Sequence, residues 1–112
     1  MTIREIIGIL DAEVLTPAPD LDRDIHSACG SDMMSDVLAF VKDQSLLLTG
    51  LTNPQAVRTA SMMDICCVMF VRGKRPDAAV TKLASDMHIT LLATRYTMYD
   101  ACGRLYDAGL RG

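Results

Sequence analysis

The sequence predicts an α/β domain, a mainly parallel sheet of about four to five strands with helices packed on both faces. Three observations predict it. Apolar runs rich in β-formers at Leu46 to Thr49, Ile65 to Val71 and Ile89 to Leu92 each break at a glycine or threonine and restart as an amphipathic helix. The helix-length stretches between them suit parallel neighbours, which need a crossover of about a dozen residues or more. Pro54 and Pro76 fall where a first helical turn tolerates a residue with no N–H, so they read as helix starts.

Taken in order, Thr2 caps a first helix over Ile3 to Leu10, where Ile3, Ile6, Ile7 and Leu10 recur at helical spacing. A short strand at Glu13 to Leu15 follows. Thr16-Pro17-Ala18-Pro19-Asp20 reads as a loop, because each proline pushes the residue before it out of helical geometry. Asp22 to Ala28 reads as a second short strand. Gly30-Ser31-Asp32 then offers an N-cap to a helix running through Lys42, with Met33, Met34, Val37, Leu38 and Val41 on one face. The helices of the repeated units are expected over Pro54 to Met63 and Pro76 to Met87. The last is expected from Thr97 to Ala108, where Thr97 and Asp100 imitate a capping box and Gly109 closes the helix.

At 112 residues with half of them apolar, the chain can bury a core of its own as one domain. A formal charge of -3 argues against a nucleic-acid partner. No apolar stretch approaches the roughly 20 residues needed to span a bilayer, and Glu5 interrupts any signal core, so the reading is cytoplasmic with no membrane contact. Cys29, Cys66, Cys67 and Cys102 lack C-x-x-C spacing and read as small buried hydrophobes in a reducing compartment. Within a strand, Cys66 and Cys67 would point to opposite faces. Eight methionines and no tryptophan describe an adaptable aliphatic core, with Met33, Met34, Met62 and Met63 as packing residues or, for some of them, part of a partner surface.

Several stretches resemble the DRTGG domain in order and spacing. They are Gly30 to Ala39, Leu47-Leu48-Thr49-Gly50, Asn53 to Val57, Ile65 to Gly73, Arg75-Pro76, Leu91 to Thr94 and Thr97 to Ala101, which together span nearly the whole chain. The resemblance implies a fold similar to the N-terminal domain of HPr kinase and a regulatory or oligomerising role. Family members occur free-standing and inside larger proteins, including pyrophosphatases with paired CBS domains and some phosphotransacetylases. Short free-standing members occur beside genes for iron-only hydrogenases and signalling kinases. The residues that name the family are replaced here: Thr52-Asn53 stands for the Asp-Arg pair after the third strand, and Arg72-Gly73-Lys74 for Thr-Gly-Gly after the fourth.

Ligands of open parallel sheets collect beyond the carboxyl ends of the strands, where helix N-termini favour anions. Those ends carry Gly30, Ser31, Gly50, Thr52, Asn53, Gly73, Lys74, Arg75, Thr94 and Arg95, the candidate ligand-binding residues. The basic ones concentrate positive charge on an acidic chain, which suits a small anion or nucleotide. No Walker lysine or G-x-G-x-x-G spacing is present, so neither an NTPase nor a dinucleotide enzyme is indicated. His26 and His88 have no companion at metal or triad spacing, and His88 reads as an exposed turn residue. His26 with Cys29, and alternating Asp20, Asp22 and Asp24, read as a charged edge rather than a reactive pair or a calcium loop.

The expected function is a non-enzymatic regulatory or interaction module with no cofactor, no metal and no catalytic residues, binding a small anionic ligand or nucleotide. The alternative is a scaffold or accessory subunit that docks onto a larger enzyme or signalling complex, for example a hydrogenase-associated one. A homodimer is expected; the face of the first helix, fused with Met33 and Met34, is one surface that suits a second copy, and packing of that face within the chain is the equal alternative.

Overall fold

Five strands form one sheet in the order β1-β5-β4-β3-β2 in a computed structural model that describes residues 1–17, 19–41 and 45–112. The elements run α1 (Ile3–Leu10), β1 (Glu13–Val14), β2 (Ser27–Gly30), α2 (Met34–Phe40), β3 (Ser45–Thr49), α3 (Pro54–Met62), β4 (Cys67–Phe70), α4 (Ala78–Asp86), β5 (Thr90–Ala93) and α5 (Met98–Asp107). Strands β2 to β5 are parallel neighbours in sequence order, and β1 closes one edge antiparallel to β5. Among the described residues no helix is long and apolar enough to cross a membrane.

The register sorts the core by alternation. Leu46 lies beside Cys67, and Leu48 beside Met69, which in turn neighbours Leu92. These side chains pack under α1 and α5. Leu47, Val68 and Leu91 form the next row and pack with Phe70 under α2, α3 and α4. The three β-α-β crossovers step in one direction across the sheet, so their helices fall on one face. The other face is left to the two helices at the ends of the chain.

Helix ends repeat one device. Ile65 N–H donates to Ala60 O at 2.8 Å, Ile89 to Ala84 at 2.9 Å and Leu110 to Leu105 at 2.9 Å, with the preceding N–H reaching back one carbonyl later in each case. This is the Schellman stop, whose pivotal residue is left-handed. Asp64 (φ 56°), His88 (φ 60°) and Gly109 (φ 107°) hold that place. His88 is therefore exposed as expected, and its position is that of a helix stop. The buried isoleucine after each of the first two stops carries the chain straight into β4 or β5.

Several boundaries depart from expectation for identifiable reasons. The strand expected at Asp22 to Ala28 is β2, displaced to Ser27–Gly30, because residues 23 to 25 pair with the N-terminus instead. Ile3 N–H donates to Arg23 O at 3.1 Å, and Ile25 N–H to Met1 O at 2.7 Å. Helix α4 starts two residues after Pro76, with the Asp77 carboxylate accepting from Val80 N–H at 3.0 Å, so Pro76 precedes the cap. Pro54 does occupy the first turn of α3. Helix α2 is capped by Met33 without a side-chain bond, since the Asp32 carboxylate is engaged elsewhere. The expected end of α2 at Lys42 lies outside the described residues, as does Ala18 of the expected loop.

The apolar face of α1 is covered within the chain. Ile3, Ile6 and Leu10 are 1%, 0% and 0% exposed, and Ile7 is half-buried against the same cluster. The intrachain alternative for that face is the one the structure shows; Met34 is buried in the other cluster, under α2, α3 and α4, whereas Met33 and Met62 are exposed. Cys66 precedes β4, so strand alternation does not govern it, and both Cys66 and Cys67 join the cluster under α1 and α5.

Candidate functional site

The carboxyl edge of the sheet is organised by the turn after β4. Arg72 (φ 60°) and Gly73 (φ 68°) are both left-handed, and Lys74 N–H closes onto Val71 O at 3.2 Å. Two positive φ values in a closed four-residue turn give the type I′ pattern, which ordinarily selects Gly or Asn. Arginine at its first position carries a steric cost of about 1 to 2 kcal/mol. The turn is tied to the loop after β5 by Arg72 N–H to Tyr96 O at 2.8 Å and Gly73 N–H to Thr94 O at 2.9 Å.

On one side of this turn, Asp32 crosses from the end of β2 to the end of β3. Its Oδ1 accepts from Gly50 N–H at 2.7 Å and from Thr49 Oγ1 at 3.0 Å. Arg72 Nη2 stands 3.7 Å from Oδ2. The Gly50 N–H, then the Thr49 hydroxyl, Arg72 and Lys74, hold the Asp32 carboxyl below its ordinary value against the opposing effect of desolvation. Gly50 has no side chain where the Arg72 guanidinium lies.

On the other side, a cleft of about 700 Å³ is lined by Asp11, Glu13, Gly73, Arg75, Thr94, Arg95 and Tyr96, with Leu10 and Ala93 beneath. Its position follows from topology. The chain after β4 turns to the α4 face while the chain after β5 turns to the α5 face, and such a divergence opens a crevice at strand ends. Arg75 is ion-paired with Glu13 across the mouth. Arg95 is exposed and, among the described residues, makes no ion pair. The volume lies within the range of small-molecule sites.

The sequence matches the DRTGG domain over residues 5–108. The chain belongs to the DRTGG domain family. Its fold is similar to a crystal structure of the CBS and DRTGG domains of the regulatory region of Clostridium perfringens pyrophosphatase complexed with the activator diadenosine tetraphosphate. The TM-score is 0.77 at 15% identity, and the match covers 93% of this chain and 45% of that one. This DRTGG chain thus spans less than half of that regulatory region. No curated protein sequence matches it.

In this DRTGG domain the ten candidate residues separate by location. Gly73, Arg75, Thr94 and Arg95 line the cleft. Gly50 and Lys74 belong to the Asp32 side, Lys74 through its charge. Gly30 is packed by the chain itself: a Cβ there would lie 2.8 Å from Cys102 Sγ and 3.1 Å from Met98 Sδ. Ser31 Oγ accepts from Met33 N–H and Asn53 Oδ1 from Gln55 N–H, so both serve local turns and caps. Thr52 is half-buried at the entry to α3. The Thr94 hydroxyl is buried and spoken for, donating to Leu10 O at 2.7 Å and accepting from Tyr96 N–H at 3.3 Å.

Sequence reasoning missed Asp32 and Arg72 as site residues, along with Glu13 as the partner of Arg75. The only signal available for Arg72 was its place at the threonine of the family's Thr-Gly-Gly. Asp32 read as a helix cap because three residues in the 30s suit one, and nothing local distinguishes a carboxylate that caps from one that reaches another loop.

The thiols are poor nucleophiles. Burial raises Cys29, Cys66, Cys67 and Cys102, with Asp36 adding to Cys29 and Arg23 partly opposing at Cys66. His26 is exposed and stands 3.7 Å from Asp24 rather than beside Cys29. Among the described residues no three His, Cys, Asp or Glu side chains are grouped to hold a metal ion.

Proposed function

We propose that this DRTGG domain is a non-enzymatic regulatory module that binds a small anionic ligand of the nucleotide class in the cleft at the end of β5. The observation that carries the reading is the cleft itself, which gathers Arg75 and Arg95 with the Gly73 backbone where the loops after β4 and β5 part. Arg95 makes no ion pair among the described residues although Asp11 and Glu13 share the cleft, and Arg75 exchanges its Glu13 partner for a stronger anion when one arrives. The nucleotide class is favoured by the activator named with the similar pyrophosphatase region. Free cysteines suit a reducing cytoplasm, where the module would work.

Thermal shift tests this directly, with inorganic phosphate, adenine nucleotides and diadenosine tetraphosphate as probes. A ligand at 100 times its Kd adds about 2.7 kcal/mol to the native state, which raises the Tm by several degrees. Arg75→Gln and Arg95→Gln together abolish the shift by the nucleotide probes. Silence across all probes refutes ligand binding, and an unchanged shift in the double variant refutes the cleft.

A docking role is the second reading, favoured by one helix face. Tyr99 and Tyr106 on α5 are 87% and 57% exposed and flank Gly103, leaving an open apolar strip at one-face spacing. Sedimentation analysis of the wild type and a Tyr99→Ser, Tyr106→Ser variant checks whether this face pairs two copies; monomers in both, at every concentration, refute that form of docking.

A further inference from the structure

The Asp32 cluster lies apart from the cleft, and its chemistry is that of an oxyanion site. A backbone N–H from Gly50 and a hydroxyl from Thr49 meet one oxygen of the chain's own Asp32 carboxylate, and the Arg72 guanidinium faces the other at 3.7 Å. We propose that Thr49, Gly50 and Arg72 form a binding site for a phosphoryl group, in which Asp32 is a resident competitor that an incoming phosphate displaces.

Three observations support this. The first is charge: Arg72 and Lys74 both act on the Asp32 carboxylate, which supplies a single negative charge against their two. A phosphate dianion matches that pair better than one carboxylate does. The second is imperfect occupancy. Gly50 N–H is at ordinary bonding distance, but Arg72 Nη2 stops at 3.7 Å, beyond a hydrogen bond, and Asp32 remains 51% exposed. A tetrahedral group with three terminal oxygens reaches further than a planar carboxylate from the same point. The third is the backbone: Arg72 is held left-handed in a turn that glycine would fill without strain, and its guanidinium lies over Gly50, which has no side chain to exclude it.

Displacement has a structural consequence. Asp32 joins the end of β2 to the end of β3, so its release frees the segment leading into α2. Phosphoryl binding is thereby coupled to that helix.

The test is an amide NMR titration of the full chain with inorganic phosphate and, separately, pyrophosphate. A tethered carboxylate competes at an effective concentration of about millimolar or above, so its removal in Asp32→Ala tightens phosphate binding by about tenfold or more. The Gly50 and Thr49 amides report it, and adding Arg72→Gln to Asp32→Ala reverses the gain. Should Asp32→Ala fail to fold, Asp32→Asn keeps an acceptor for Gly50 while dropping the competing charge, and it too binds phosphate tighter than the wild type. Equal affinity in wild type and the folded variant overturns the proposal, as does a gain that survives Arg72→Gln. Shifts confined to Gly73, Arg75 and Arg95 also overturn it while leaving the cleft reading intact.

Discussion

Thr94 is the candidate residue whose role the structure redefines most sharply, and replacing it by valine separates a ligand contact from a structural tie. The hydroxyl is 2% exposed and donates to the carbonyl of Leu10, one of the last carbonyls of α1, which has no partner within its own helix. It also accepts from Tyr96 N–H, which helps hold the loop that receives the turn after β4. Valine keeps the shape but leaves the buried Leu10 oxygen unpaired, at a cost of about 1 to 3 kcal/mol. Burying an additional methyl offsets about 0.8 kcal/mol of this, so a net loss of about 0.2 to 2 kcal/mol is expected. For a domain of this size, that lowers the Tm by about 1 to 9 °C. Urea unfolding followed by circular dichroism measures it as a fall in midpoint at unchanged slope. Thr94→Ser keeps the hydroxyl and serves as the control, losing only the methyl. A Thr94→Val midpoint equal to that of wild type, or equal losses in the valine and serine variants, refutes the argument that the Leu10 bond anchors this edge.

Other expectations follow from the same geometry. His88→Gly relieves a left-handed residue at the α4 stop but loosens the unfolded chain, for a net stabilisation of about 0.5 to 1 kcal/mol by urea unfolding, whereas Gly109→Ala at the α5 stop destabilises by about 1 kcal/mol. Destabilisation by His88→Gly, or stabilisation by Gly109→Ala, would contradict the shared stop motif. Asp32 has a folded-state pKa lowered chiefly by Gly50 N–H, so its contribution is fully present above the unfolded value near 4 and fades as pH falls through the lower folded one. The wild type therefore exceeds Asp32→Asn by at most about 1 kcal/mol at pH 6, given the exposure of the group, and the gap closes towards pH 2; a gap that widens in acid reverses the sign argued here. Phe70→Ala empties a fully buried place between β4 and the three crossover helices and costs about 3 to 5 kcal/mol, and a loss below 1 kcal/mol would mean that this core closes around the cavity.

Much of the fold was readable from the chain because its signals are local. Alternating apolar strands, the Pro54 start of α3, the Thr97 cap and the Gly109 stop each depend on neighbours within a few residues, and local sterics and hydrogen bonding decide them. Where local readings failed, a distant partner had intervened. Residues 23 to 25 gave up the sheet for the N-terminus, and Asp32 gave up the α2 cap for Gly50.

The candidate site divides along the same line. The sequence by itself determined that basic residues and glycines gather at the strand ends, because the place of each loop follows from where an apolar run stops and a helix starts. Only the tertiary structure decided which of them face a cleft, since that depends on α4 and α5 leaving neighbouring strands towards opposite faces. It also decided which acids neutralise which arginines. Glu13 meets Arg75 across 62 positions of sequence and Asp32 meets Gly50 across 18, and no local pattern encodes either meeting. Charge pairing acts through space, whereas the periodicities that betray helices and strands act along the chain.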